Sequence, residues 1–120
     1  MSKAVGSNTA VYMGCFTSEY EKLVLSDPEM DIKYTATGVP QTLLSNRLSW
    51  FYDFRGPSLT IDTACSSSLN AVHLGCNSLL SGEANMAIVG GCNLMCKFMP
   101  PPPVFICFSL TSLFFRQSTP

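Results

Sequence analysis

Between residues 58 and 91 the chain runs from a β-leaning stretch, Ser58-Leu59-Thr60-Ile61-Asp62, through a helix-length segment, into a second apolar run, Ala84-Asn85-Met86-Ala87-Ile88-Val89-Gly90-Gly91. Leu69, Val72, Cys76, Leu79 and Leu80 recur at helical spacing in the middle segment, and Gly82 stands where such a helix would stop. A strand, a helix and a second strand joined in this way form a βαβ unit, which requires a parallel sheet with helices laid on it.

The preceding residues extend the same pattern. Ala10-Val11-Tyr12-Met13-Gly14-Cys15-Phe16 suits a buried strand, and Ser18 with Glu21 has capping-box spacing for a short helix to Leu25. Ser26-Asp27-Pro28 breaks that helix, and a polar loop reaches Thr37-Gly38-Val39-Pro40. Pro40 suits the first turn of another helix, with Leu44, Leu48 and Phe51 on one face and Gly56-Pro57 as its end. The expected fold class is therefore α/β. After Met95 the character changes: four prolines at 100–103 precede an apolar stretch without charge until Arg116, so residues 96–120 are expected to stand apart from the fold of residues 1–95.

Composition excludes several functions. Charged residues make up 12% and apolar ones 47%, the reverse of a disordered chain. A net charge of -1 provides no polybasic surface for nucleic acid or an anionic membrane, and the apolar stretch of the tail is shorter than the roughly 20 residues that span a bilayer. The first residues lack a signal-peptide core. Of the 6 cysteines, Cys15, Cys65, Cys76 and Cys92 lie in apolar or small-residue segments, as reduced, buried thiols do, and the Cys92–Cys96 pair has no partners to complete a zinc site. The expectation is a cytoplasmic chain without metal.

Cys65 carries the clearest chemistry. It lies between Asp62-Thr63-Ala64 and Ser66-Ser67-Ser68, where a strand passes into a helix. Unpaired amides and the dipole at a helix start favour an anion, a setting that turns a thiol into a nucleophilic thiolate and supports an oxyanion on an attached acyl group. The small residues beside it suit a tight turn. On spacing alone, a buried structural cysteine is the competing reading. The one histidine, His73, is eight residues on, roughly 12 Å of helical rise, and so belongs to packing or surface rather than to a dyad.

The segment Gly56-Pro57-Ser58-Leu59-Thr60-Ile61-Asp62-Thr63-Ala64-Cys65-Ser66-Ser67-Ser68-Leu69 resembles the active-site segment of β-ketoacyl synthases, above all the ketosynthase domains of fungal-type iterative polyketide synthases. Upstream, Tyr12-Met13-Gly14, Glu19-Tyr20, Tyr34-Thr35-Ala36-Thr37-Gly38 and Asn46-Arg47-Leu48-Ser49-Trp50-Phe51 are similar too. Downstream, Ala71-Val72-His73-Leu74, Ser81-Gly82-Glu83 and Ala87-Ile88-Val89-Gly90-Gly91 continue the likeness. The resemblance implies a partial thiolase-like fold: an incomplete N-terminal half, with a mixed or parallel sheet and helices on both faces. It implies a decarboxylative Claisen condensation in polyketide or fatty acid biosynthesis, an acyltransferase activity of the 3-oxoacyl-carrier-protein synthase type. Cys65 would accept the acyl group from an acyl carrier protein or coenzyme A thioester, and its backbone N–H would line the oxyanion hole. No bound cofactor is implied, since phosphopantetheine travels on the carrier, and the family forms homodimers. The family's two catalytic histidines lie in later segments that do not match this chain, so the fragment is expected to be inactive alone. The alternative is a truncated or aberrant product with at most a dimer-pairing role.

Other residues have plainer expectations. Asp62 reads as a turn or cap residue, Arg47 and Arg55 as snorkelling or carboxylate-paired, and Trp50, Phe51, Tyr52 and Phe54 as core or interface aromatics. Gly90-Gly91 lacks the three-glycine spacing of a nucleotide-binding turn.

Overall fold

The computed structural model describes residues 4–26, 33–93 and 113–116. Strand β1 (Thr9–Cys15) is the centre of a mixed sheet and is buried at nearly every position. Helix α1 (Glu19–Ser26) follows, then the single turn α2 (Thr35–Gly38) and helix α3 (Leu43–Phe51). Strand β2 (Ser58–Ile61), helix α4 (Ser67–Leu80) and strand β3 (Met86–Cys92) complete the βαβ unit. The sheet order is β2-β1-β3-β4, where β4 is Leu113–Arg116. The first three strands are parallel and β4 is antiparallel to β3. The fold class is thus α/β, as the residue pattern implied.

Local chemistry explains most boundaries. The Glu21 amide donates to Ser18 Oγ at 3.2 Å, which is the capping contact that starts α1, and Glu19 and Glu21 complement the dipole of its first turn. The helix ends at Ser26, while the break at Asp27-Pro28 lies outside the described residues. Pro40 precedes α3 rather than entering it: its carbonyl accepts the Leu43 amide at 3.1 Å, and the regular helix begins there. Gly82 follows α4 at φ +74°, a conformation that suits glycine, and donates to Leu79 O.

Register assigns the two faces of the sheet. Pairing Tyr12 with Val89 and Gly14 with Gly91 places Ala10, Tyr12, Gly14, Ala87, Val89 and Gly91 on one side, and α4 lies against it. Ala10, Tyr12, Ala71, Ala84, Ala87 and Val89 form the core between them, flanked by Ile61, Val72, Leu74 and Leu79. Helix α3 covers the other side, where fully buried Ser45 bonds Thr60 Oγ1 at 3.0 Å.

Two helix faces differ from expectation. On α4 the buried positions are Ser67, Ala71, Gly75 and Ser78, whereas Leu69 and Leu80 of the apolar stripe are 72% and 84% exposed. The reason is distance. A Cβ on Gly75 would meet Val89 Cγ2 at 2.7 Å, and one on Gly14 would meet Ser68 N at 2.7 Å, so no side chain fits at those two points of closest approach. On α3, Phe51 is exposed, as is Trp50, so neither aromatic belongs to the core. Tyr52 stacks on Phe54 at 5.4 Å and meets Phe51 edge-on at 4.9 Å.

Most of the tail, residues 96–112 and 117–120, lies outside the described residues, the proline run and Cys96 included. The described part of the tail is Leu113–Arg116. It pairs with β3 from Met86↔Arg116 to Val89↔Leu113. Strand β3 would otherwise present unpaired backbone groups along that edge, and an extended segment satisfies them whatever its ancestry.

Candidate functional site

The turn from β2 to α4 stands at the carboxyl ends of the parallel strands, the edge at which open α/β sheets carry their ligand sites. Ala64 has φ +54°, a left-handed conformation that costs a non-glycine residue about 1 kcal/mol. Cys65 follows immediately, exposed and with a free thiol, two residues before α4 begins. The structure therefore places Cys65 where the sequence put it, on a sharp strand-to-helix turn. It also corrects one detail, because Cys65 is exposed whereas the segment composition suggested a buried thiol. Cys15 is buried and free, and Cys76 and Cys92 are free and partly covered.

Hydroxyls and one amide hold this turn. Asp62 Oδ1 accepts the Ala64 amide at 3.1 Å, the turn role expected of it. Ser66 Oγ bonds Thr63 O at 2.8 Å and so turns back into the loop, leaving α4 without a side-chain cap from its N-cap residue. Asn70 Nδ2 donates to Thr63 Oγ1 at 2.7 Å. The central member is Ser67, which is 4% exposed. Its hydroxyl accepts the Thr63 amide at 2.8 Å and reaches Ala64 O at 2.7 Å and Cys15 O at 3.3 Å. It ties the turn to the end of β1. Ser67 and Asn70 are positioning residues that sequence reasoning missed; a run of serines straight after the strand was the available signal, because short hydroxyls compete for local backbone groups.

His73 does not join this arrangement. It is exposed on α4 with Nε2 3.0 Å from Asn77 Nδ2. Arg47 donates to Thr37 O at 2.6 Å, and Arg55 pairs with Asp53 at 3.3 Å on the surface. Among the described residues no group of three metal-ligating side chains occurs, and no helix is long and apolar enough to cross a membrane.

Beneath the turn, on the α3 side of the sheet, a cleft of about 180 Å³ opens between the end of β1, the start of α1 and the α2–α3 connection. Cys15 and Cys92 line it. The Cys15 thiol is pushed up from 9.0 to about 11, first by burial, then by the adjacent Cys92 and by Asp62. It contacts Thr17 O at 3.7 Å. A thiol so disposed is protonated at neutral pH.

Comparison with known proteins places this geometry in context. The family described as "Beta-ketoacyl synthase, N-terminal domain" matches residues 1–109, a span that runs past Met95. The highly reducing polyketide synthase Preu1 of Preussia isomera is 52% identical over 95 residues, which is 79% of this chain and 4% of that protein. The hybrid PKS-NRPS synthetase pvhA of Talaromyces variabilis is 48% identical over 108 residues, 90% of this chain and 3% of that protein. The chain thus spans a small fraction of the curated relatives it matches. Among solved structures, the ketosynthase from module 6 of the bacillaene synthase of Bacillus subtilis 168 superposes with a TM-score of 0.67 at 30% identity, over 80% of this chain and 15% of that one. An oxazolomycin ketosynthase domain from Streptomyces albus JA3453 gives 0.66 at 34% identity, over 78% of this chain and 16% of that one.

Proposed function

The chain belongs to the β-ketoacyl synthase family, whose N-terminal domain it matches, with a partial thiolase-like fold, and on that premise we propose that Cys65 is the acyl-accepting nucleophile of a condensing enzyme of polyketide or fatty acid biosynthesis. The observation that carries this reading is the exposed thiol on the strained Ala64–Cys65 turn at the uncapped start of α4. The Sγ thiolate attacks the carbonyl carbon of an acyl thioester held on a carrier-protein phosphopantetheine or on coenzyme A. The carbonyl oxygen becomes an oxyanion, which the Cys65 backbone N–H and the helix dipole stabilise. Collapse expels the pantetheine thiolate and leaves the acyl group on Cys65. In the second half-reaction a malonyl thioester loses carbon dioxide, and the resulting carbanion attacks the Cys65 thioester. The new carbon–carbon bond forms as the Cys65 thiolate departs. Neither half-reaction requires a resident cofactor or metal.

Turnover also needs groups that stabilise the decarboxylation, and the one histidine of this chain bonds Asn77 on the far turns of α4. The 120-residue chain should therefore acylate without condensing. Incubation with an acyl coenzyme A and mass spectrometry of the peptides should find the acyl group on the Cys65 peptide and lose it in Cys65→Ala. Labelling unchanged by that substitution overturns the reading. Ketone product from this chain with malonyl carrier protein would overturn the inactivity.

A second reading is a pairing role with another ketosynthase chain. Strand β2 is an outer strand of the sheet, with Leu59 exposed on it, and its outer edge, unpaired among the described residues, suits pairing with a second copy.

A further inference from the structure

We propose that Cys15 and Cys92 form a reversible oxidative cross-link site, distinct from the Cys65 turn. They are the last residues of β1 and β3 and stand directly opposite each other in the parallel register. Opposed residues on neighbouring strands project to the same face with backbones about 4.8 Å apart, inside the Cα range of about 4.4–6.8 Å that a disulfide needs. Both line the same open cleft, so a small oxidant reaches them.

The strand spacing is compatible with a disulfide, and a cross-link that lines an open cleft is accessible to a thiol reductant. Position at the strand ends allows some relaxation, because neither residue has a following ladder partner in β1 or β3. The pair thus suits a reversible modification rather than a permanent staple. The oxidant is a peroxide. Cys92 is the more exposed of the two and reacts first: its sulfur attacks hydrogen peroxide, the O–O bond breaks, and a sulfenic acid and one water result. The Cys15 sulfur then attacks the Cys92 sulfur, losing its proton, and the S–O bond breaks to release a second water. Two thiols and one peroxide give one disulfide and two waters. The Cys15 carbonyl accepts from Ser67, so the cross-link sits one hydrogen bond away from the nucleophile turn without depending on its chemistry.

The test is exposure of the full chain to hydrogen peroxide, alkylation of remaining thiols and peptide mapping without reductant. The expected result is a Cys15–Cys92 linked peptide as the main cross-link, lost on treatment with dithiothreitol, absent in Cys92→Ser and retained in Cys65→Ser. Retention in Cys65→Ser separates this proposal from the acylation reading. Oxidation confined to the other cysteines, or Cys15 linked chiefly to Cys96 or Cys107, overturns it. In wild-type protein, dithiothreitol reversal provides the second readout should Cys92→Ser fail to fold; a linkage that resists reduction counts against the proposal.

Discussion

The two faces of α4 obey different rules. Towards the sheet it presents Ser67, Ala71, Gly75 and Ser78, all buried; away from the sheet it presents Leu69, 72% exposed, and Leu80, 84% exposed. Leu69 and Leu80 are thus on the face that this sheet does not cover, while Val72, Leu74 and Leu79 flank the core at its edges. Helix and strands approach so closely that fit, not apolarity, selects the inner residues. The surplus apolar area on the outer face explains why so uncharged a chain can still leave leucines in solvent. It also shows why burial and hydrophobicity should not be equated when a helix crosses a sheet at glycine distance.

The largest effect should come from closing the gap at the inner face. Gly14→Ala puts a Cβ against the Ser67–Ser68 backbone, which cannot rotate away, and should cost about 3 kcal/mol in urea unfolding. A loss below half that would mean the close approach is softer than the distances imply. Next comes the thiol on the opposite face of the same strand. The fold favours the protonated Cys15, which titrates near 11 when folded, against 9.0 unperturbed. Below about pH 9 its full contribution is present; between 9 and 11 the unfolded chain ionises first, so stability falls as pH rises. At about 1.4 kcal/mol per pKa unit, wild type should lose about 2 kcal/mol more than Cys15→Ala over that window. Parallel pH profiles of the two proteins would remove the effect.

The turn itself should respond with the opposite sign. Ala64→Gly relieves the left-handed strain and should raise stability by up to about 1 kcal/mol, although glycine also frees the unfolded chain. A loss above 1 kcal/mol would show that Ala64 is not strained. The smallest effect belongs to the outer face: Leu80→Asn should change the free energy of urea unfolding by less than about 0.5 kcal/mol. A cost above 1 kcal/mol would reveal that something covers that leucine in solution, and the contrast between the faces would collapse.

What the sequence determined by itself was local or periodic. Alternating strand and helix signals specified the βαβ order, Ser18 marked a helix start, Gly82 marked a helix end, and Cys65 with small neighbours marked the turn. Each depends on residues within a few positions of one another, so the chain carries the information directly. The tertiary structure decided the rest: that α4 turns its small residues inward, that Ser67 binds the end of β1, that Cys15 and Cys92 stand opposite, and that Leu113–Arg116 pairs with β3. Those depend on how closely distant segments approach, and side-chain periodicity records apolarity but not distance.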